Sequence, residues 1–415
     1  MAYYKKYDNG LRLIIEKMEG LFSVSAGVMI YTGSANETAN ENGISHFIEH
    51  VMFKGTSKRT AFQISDYIDR LGAQINAFTS KEITCYYTKS TFEHYGECLE
   101  VLSDIFFNST FLEEELEKEK GVIIEEINMS EDSPEDLLFD LLSESYFGNS
   151  GLGQTILGPA KNIKRFSKKD VLAYMDKYYT ADNIVISIAG NVDIEKTEKL
   201  VEELFVKNFS KTKSKAQVLT EPKTSQNLYK HKSLEQSHIG LCMPAFSVDD
   251  KRTDSLSIAN IVLGGGMSSR LFQKIREELG LAYSVYSYAS TYKNQGILEI
   301  YAGVSPDKRN LAFDKIIQEI NTLKQNSITE QEFLRAKEQI KSSMIMGRES
   351  TASQMILYGK YLLFLNHKFD FEERLQTINN ITIQDVEQAI SSAFDLSKVS
   401  TATVGPVKSP IKYKV

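Results

Sequence analysis

The residues that could do chemistry gather first in one stretch, Gly43-Ile44-Ser45-His46-Phe47-Ile48-Glu49-His50-Val51-Met52-Phe53-Lys54-Gly55. Its pattern predicts a short helix stopped by its glycine. On a helix turning about 100° per residue, His46 and His50 stand one above the other, with Glu49 beside them. Two imidazoles four apart offer two nitrogen ligands to a metal ion, and a carboxylate one position before the second histidine can take the proton of a water held there. These are two of only six histidines in the chain, so their pairing is uncommon by chance. The alternative is a coincidence of two histidines and a glutamate on one amphipathic helix.

A catalytic zinc site usually has three protein ligands. The acidic helix predicted over Glu113 to Ser130 is the natural source of the third. Glu119 and Glu126 fall on one of its faces, two turns apart. Spacing does not choose between Glu125 and Glu126 as the ligand, and most glutamates of this run read as a solvated face.

The elements that must position these groups follow from periodicity and turn residues. Asp8-Asn9-Gly10 predicts a hairpin turn, Phe22 to Tyr31 a strand, Ala61 to Leu71 a helix ended by Gly72, and Gln74 to Ser80 and Ile83 to Thr88 two strands. A helix-rich run from about Thr91 to Tyr146 precedes a glycine-punctuated loop from Gly148 to Gly158. A helix over Ser167 to Tyr178, a strand over Asn183 to Gly190 and a helix over Asp193 to Leu204 complete the first half.

From residue 209 to 225 the composition turns to Lys, Ser and Thr, which predicts a linker. Beyond it the pattern repeats, with a strand over His238 to Phe246, a helix over Asp254 to Leu263 closed by Gly264-Gly265-Gly266, and a helix over Leu271 to Leu279. Phe62-Gln63 matches Phe272-Gln273, and Leu71-Gly72 matches Leu279-Gly280, at an offset of about 210. Where the first half has His46, Glu49 and His50, the second has Leu256 and no ligand. The expected fold is α+β: two similar halves, each a mainly antiparallel sheet flanked by helices. Residues 1–208 form a metal-binding domain, 209–225 the linker and 226–415 a homologous domain without metal ligands.

Composition excludes several classes. At 415 residues the chain exceeds one ordinary core, so at least two domains are expected. The net charge of −7, with basic residues scattered, gives nothing to a nucleic-acid partner. Cys85, Cys98 and Cys242 are too few and too scattered for a disulfide framework and suggest a reducing compartment. No stretch approaches the roughly 18 apolar residues of a membrane span, and the first residues lack the apolar run of a signal peptide. The expectation is a soluble, cytoplasmic protein.

With these motifs in hand, the chain resembles the pitrilysin (insulinase) family of zinc metallopeptidases, nearly end to end. The likeness is greatest to bacterial members of this length, which are similar to the subunits of mitochondrial processing peptidase. It rests on His46-Phe47-Ile48-Glu49-His50 with Val51 to Thr56, the inverted order found in inverzincins. It rests also on Asn76-Ala77-Phe78-Thr79-Ser80-Lys81-Glu82, on Glu119-Lys120-Gly121-Val122-Ile123-Ile124-Glu125-Glu126, and on Ile156-Leu157-Gly158 with Tyr179 to Asn183 and Ala189 to Asp193.

The resemblance implies that His46, His50 and Glu126 hold one Zn2+ per chain, that Glu49 is the general base, and that Glu119 orients an imidazole. It implies that Arg276 and Tyr283, in Arg276-Glu277-Glu278-Leu279-Gly280-Leu281-Ala282-Tyr283, help bind substrate and stabilise the transition state. Without it, the two read as a solvated helix residue and a strand residue. Asn76, Ala77, Phe78 and Thr79 become the edge on which an unfolded peptide lies as an added strand. Having both motifs, the chain is similar to members that work as homodimers enclosing a clam-like chamber. The competing readings are a catalytically silent subunit of the same fold, one half of a heterodimeric peptidase, and a zinc hydrolase acting on a non-peptide amide.

Overall fold

The computed structural model describes residues 2–149, 151–209, 226–411 and 413. The chain runs through β1 (Tyr3–Lys6), β2 (Arg12–Lys17), β3 (Ser23–Ile30), α1 (Ile44–Val51), α2 (Ala61–Arg70), β4 (Gln74–Thr79) and β5 (Thr84–Thr91). Next come α3 (Tyr95–Asn108), α4 (Glu113–Asp132), α5 (Pro134–Phe147), α6 (Ala160–Arg165), α7 (Lys168–Tyr178), β6 (Ile184–Gly190) and α8 (Ile194–Leu204). The second half begins with β7 (Asn227–His231), β8 (Ser237–Ala245), α9 (Thr253–Gly264), a π-helical segment (Phe272–Glu278), β9 (Ala282–Thr291) and β10 (Gly296–Val304). It closes with α10 (Arg309–Asn326), α11 (Glu330–Gly347), α12 (Thr351–Leu365), α13 (Phe371–Asn380), α14 (Ile383–Ala393) and β11 (Ser400–Gly405). Among the described residues no helix is long and apolar enough to cross a membrane.

These elements form two compact units. The first is built on a six-stranded sheet ordered β1-β2-β6-β3-β5-β4, in which only β2 and β6 run parallel. Its opening hairpin turns at Gly10, which takes φ +98° and donates its N–H to the Tyr7 carbonyl at 2.9 Å. β3 is buried from Val24 through Ile30, as expected of a strand covered on both faces. The second unit has a five-stranded sheet ordered β7-β11-β8-β10-β9, with only β7 and β11 parallel. Its order of pairings repeats that of β2-β6-β3-β5-β4, so the internal repeat read from the glycines is a repeat of topology.

The units are not the two contiguous halves expected from the sequence. Among the described residues, the first comprises 2–127, 155–209 and 345–371, and the second 128–154, 226–344 and 372 onward. The boundaries 1–208 and 226–415 are therefore corrected, and residues 210–225 of the expected linker lie outside the described residues. The physical reason is an exchange of helices. α12 follows β10 in sequence yet packs on β3 and β6. The Ser187 hydroxyl donates to the Met355 carbonyl at 2.7 Å, and Thr351 shares hydrogen bonds with Ser23 and Ser25 at 3.2 and 3.0 Å. Glycines permit this closeness: a Cβ on Gly27 would lie 2.6 Å from Met355 Sδ, and one on Gly359 would collide with Met29. Reciprocally, α5 sets Leu138 and Leu142 against Gly240 of β8, and Ser400 of β11 donates to the Ser145 carbonyl at 3.0 Å.

Candidate metal centre

α1 is a helix because Ile44, Phe47, Ile48 and Val51 recur on one face and bury it. It starts at Gly43, whose φ of +98° suits glycine. Glu37 fixes that start, accepting from the N–H groups of Gly43 and Ser45, both at 2.8 Å, and from the Asn42 side chain at 3.0 Å. Burial raises the Glu37 carboxyl above its usual range against these hydrogen bonds.

α4 is tied to the loop after α1 before it crosses the histidines. Ser109 donates to the Met52 carbonyl at 2.9 Å and Thr110 N–H to the Gly55 carbonyl at 3.1 Å. The buried face of α4 carries Leu116, Glu119 and Ile123, and Glu126 follows on the same side. Glu126 Oε2 lies 3.6 Å from His46 Nε2 and 3.4 Å from His50 Nε2, while Glu125 is exposed. The imidazole and carboxylate ligand atoms of His46, His50 and Glu126 all lie within 4.8 Å of one another.

The donors suit a zinc ion by type and by spacing. Two ligand atoms each about 2.0–2.1 Å from one ion at the tetrahedral angle stand about 3.3–3.4 Å apart, close to the two Glu126 separations. Glu119 accepts from His50 Nδ1–H at 3.1 Å, leaving Nε2 to face the cluster. Its other oxygen meets Lys54 Nζ at 2.7 Å. His46 has no such support among the described residues, its Nδ1 being buried without a hydrogen-bond partner there.

Burial, then the neighbouring His50, holds His46 down at about 4, which keeps it neutral and fit to donate a lone pair. For His50 burial acts in the same direction, but Glu119 and Glu126 outweigh it and raise the imidazole to about 9. Glu126 is lowered, mainly by His50. Burial lifts the Glu49 carboxyl above its usual range, and the Thr79 hydroxyl, donating to Glu49 Oε2 at 2.5 Å, opposes that.

Asn76, Ala77, Phe78 and Thr79 lie on β4, which among the described residues pairs with β5 alone and so forms an edge of its sheet. Thr79 brings this edge directly to Glu49. Arg276 and Tyr283 are neighbours in the second unit, the guanidinium 4.7 Å from the Phe272 ring centre and 4.9 Å from that of Tyr283, which is three-quarters exposed. Arg276 lines a cavity of about 370 Å³ with Gly264 to Met267 in its wall.

Three supports escaped the sequence reading: Thr79 as a partner of Glu49, Lys54 as a partner of Glu119, and Glu37 as the acceptor at the start of α1. Lys54, one turn past His50, carried a weak spacing signal. Thr79 carries only the signal of an edge residue, and Glu37 sits in a loop with no signal.

Two repeated α+β units, of which one alone among the described residues carries a His-His-Glu donor set, define the zinc-peptidase class of fold. The chain belongs to the insulinase family, peptidase family M16: residues 12–160 match that family's model, and residues 165–340 match the model described as the peptidase M16 inactive domain. It is 44% identical over 385 residues to the uncharacterized zinc protease YmxG of Bacillus subtilis, covering 92% of this chain and 93% of the relative. It is 37% identical over 402 residues to an uncharacterized zinc protease of Rickettsia felis, covering 97% of each. A protease from Helicobacter pylori has the same fold, with TM-score 0.92, 22% identity, and coverage of 98% of this chain and 99% of that one. A Pseudomonas fluorescens structure titled as a peptidase M16 inactive domain also shares it, with TM-score 0.91, 18% identity and full coverage of both chains.

Proposed function

We propose that this chain is a zinc-dependent endopeptidase that hydrolyses unfolded peptides, with Glu49 as general base. The observation that carries the reading is the convergence of His46, His50 and Glu126 beside a Glu49 held by the β4 edge. A zinc ion on these three residues would supply Lewis acidity, acidifying water and polarising a peptide carbonyl. Glu49 accepts the proton of the attacking water and passes it to the departing amine. Thr79 aims its carboxylate, and Glu119 fixes the His50 ring. The peptide lies along β4 by backbone hydrogen bonds, which favours extended chains over folded ones. Arg276 and Tyr283 supply a guanidinium and a hydroxyl to the developing oxyanion, and the working form is a cytoplasmic homodimer. The buried, unpaired state of all three cysteines is consistent with that compartment.

A catalytically silent subunit is the second reading, favoured only by the match of residues 165–340 to a domain described as inactive. The deciding experiment is hydrolysis of a quenched, unstructured peptide before and after chelation, after zinc restoration, and by Glu49→Gln. The expected outcome is loss with chelator, recovery with zinc, and a drop of about 10²–10⁴-fold in the variant. A zinc-loaded, dimeric wild type inactive on varied peptides overturns the proposal in favour of the silent subunit.

A further inference from the structure

α12 brings one cation to the first unit's sheet that the proposed chemistry does not use. Lys360 is half-buried, with Nζ 5.9 Å from the centre of the Phe78 ring. Among the described residues no carboxylate pairs with it, whereas Lys54 has Glu119 at 2.7 Å, and Arg59 has Glu100 and Asp104, each at 2.7 Å. An ammonium withdrawn from water without an anion is costly. Burial accordingly lowers the Lys360 pKa, with only the Cys85 thiol acting the other way.

The surroundings single out a ligand class. Phe78 packs with Tyr87, ring centres 6.3 Å apart, and Phe364, one turn beyond Lys360, packs edge-on to Tyr31 at 5.7 Å. These aromatic side chains, all half-buried, form a largely apolar floor around the Lys360 ammonium, on which the Tyr31 hydroxyl donates to Glu82 Oε1 at 3.4 Å and no carboxylate among the described residues pairs with Lys360. The register pairs Phe78 with Cys85 and Asn76 with Tyr87, so the four side chains share the α12 face of the sheet. A strand added along β4 places alternate side chains on that same face, the one opposite Phe78 about 5 Å away. From there an acidic side chain reaches across the Phe78 ring to the ammonium.

We infer that Lys360 is a specificity-determining residue that recognises a carboxylate on the bound peptide, either an Asp or Glu side chain or the peptide's own C-terminus. The inference rests on the reading of β4 as the strand to which peptides add.

The test is a binding scan with Glu49→Gln protein, so that it does not depend on turnover. Labelled, unstructured peptides of one length carry a single Gln→Glu exchange at successive positions, and a further pair ends in free acid or amide. The expected result is that one scan position, or the free acid, binds about 10-fold more tightly than its neutral counterpart. The two arms distinguish a side chain from a terminus. Adding Lys360→Met abolishes that difference and adding Lys360→Arg retains it. With Glu49 intact, the preference falls on KM and leaves kcat unmoved. A thermal melt of Lys360→Met at or above the parent establishes folding, because methionine relieves the unpaired charge. A preference that survives Lys360→Met, or no preference in folded parent protein, overturns the inference. Peptides that bind with the expected preference but are never cleaved by zinc-loaded protein with Glu49 intact overturn the peptidase reading instead.

Discussion

Glu49 has to be ionised to accept a proton, and its surroundings set the pH at which it is. Burial favours its neutral form, and the Thr79 hydroxyl, donating to the carboxylate, favours the charged one. Removing that hydroxyl therefore raises the Glu49 pKa, and a base with a raised pKa loses its charge at a higher pH as the solution is acidified. Thr79→Val is expected to move the acid limb of kcat/KM upward and to cost several-fold in activity on that limb, while Thr79→Ser leaves the limb in place. A pH profile of the three proteins checks this, and an unmoved limb in Thr79→Val removes Thr79 from the account. The same scale shows where spacing stops being informative. Glu125 and Glu126 were equivalent in the sequence, and the rotational phase of α4, set by its buried Leu116, Glu119 and Ile123, separates them. His46 and His50 needed no such help, because a pair four apart on a short helix leaves little freedom.

Elements were legible wherever a period and a punctuating residue agreed. The turn at Gly10, the strand that became β3 and the helix that became α7 all lie within a residue or two of their sequence limits. The partners of α5 and α12 were not legible. Periodicity marks an apolar face without saying which sheet it covers, and in both helices the answer lies across the chain, secured by glycines that admit close approach. Gly359→Ala tests the assignment, because its methyl would press on Met29 of β3 and Ser187 of β6. The expected cost is about 1–3 kcal/mol in chemical denaturation. Amide exchange should quicken in β3 and β6. Faster exchange confined to β8 and β11 would place α12 on the wrong sheet.

At the scale of the whole molecule the repeat divides labour. One unit holds His46, His50 and Glu126, and the other holds Arg276, stacked between Phe272 and Tyr283. Topology was duplicated while chemistry diverged, which the sequence conveyed through the missing histidines near Leu256. If the chain works as a homodimer in which Arg276 and Tyr283 serve the partner's metal site, two inactive variants should rescue each other. Glu49→Gln keeps a functional Arg276, and Arg276→Ala keeps a functional Glu49. In a mixed dimer one site then receives Glu49 from one subunit and Arg276 from the other, while the second site lacks both. Equal mixing makes half the dimers mixed, so the expected activity is about one quarter of wild type, rising from near zero with subunit exchange. If Arg276 instead served its own subunit, every site in the mixture would lack one group and no activity would return. Mass spectrometry of differently tagged subunits establishes the exchange. Proven exchange without recovery rejects the trans arrangement and leaves the hydrolytic proposal to be judged on Glu49 alone.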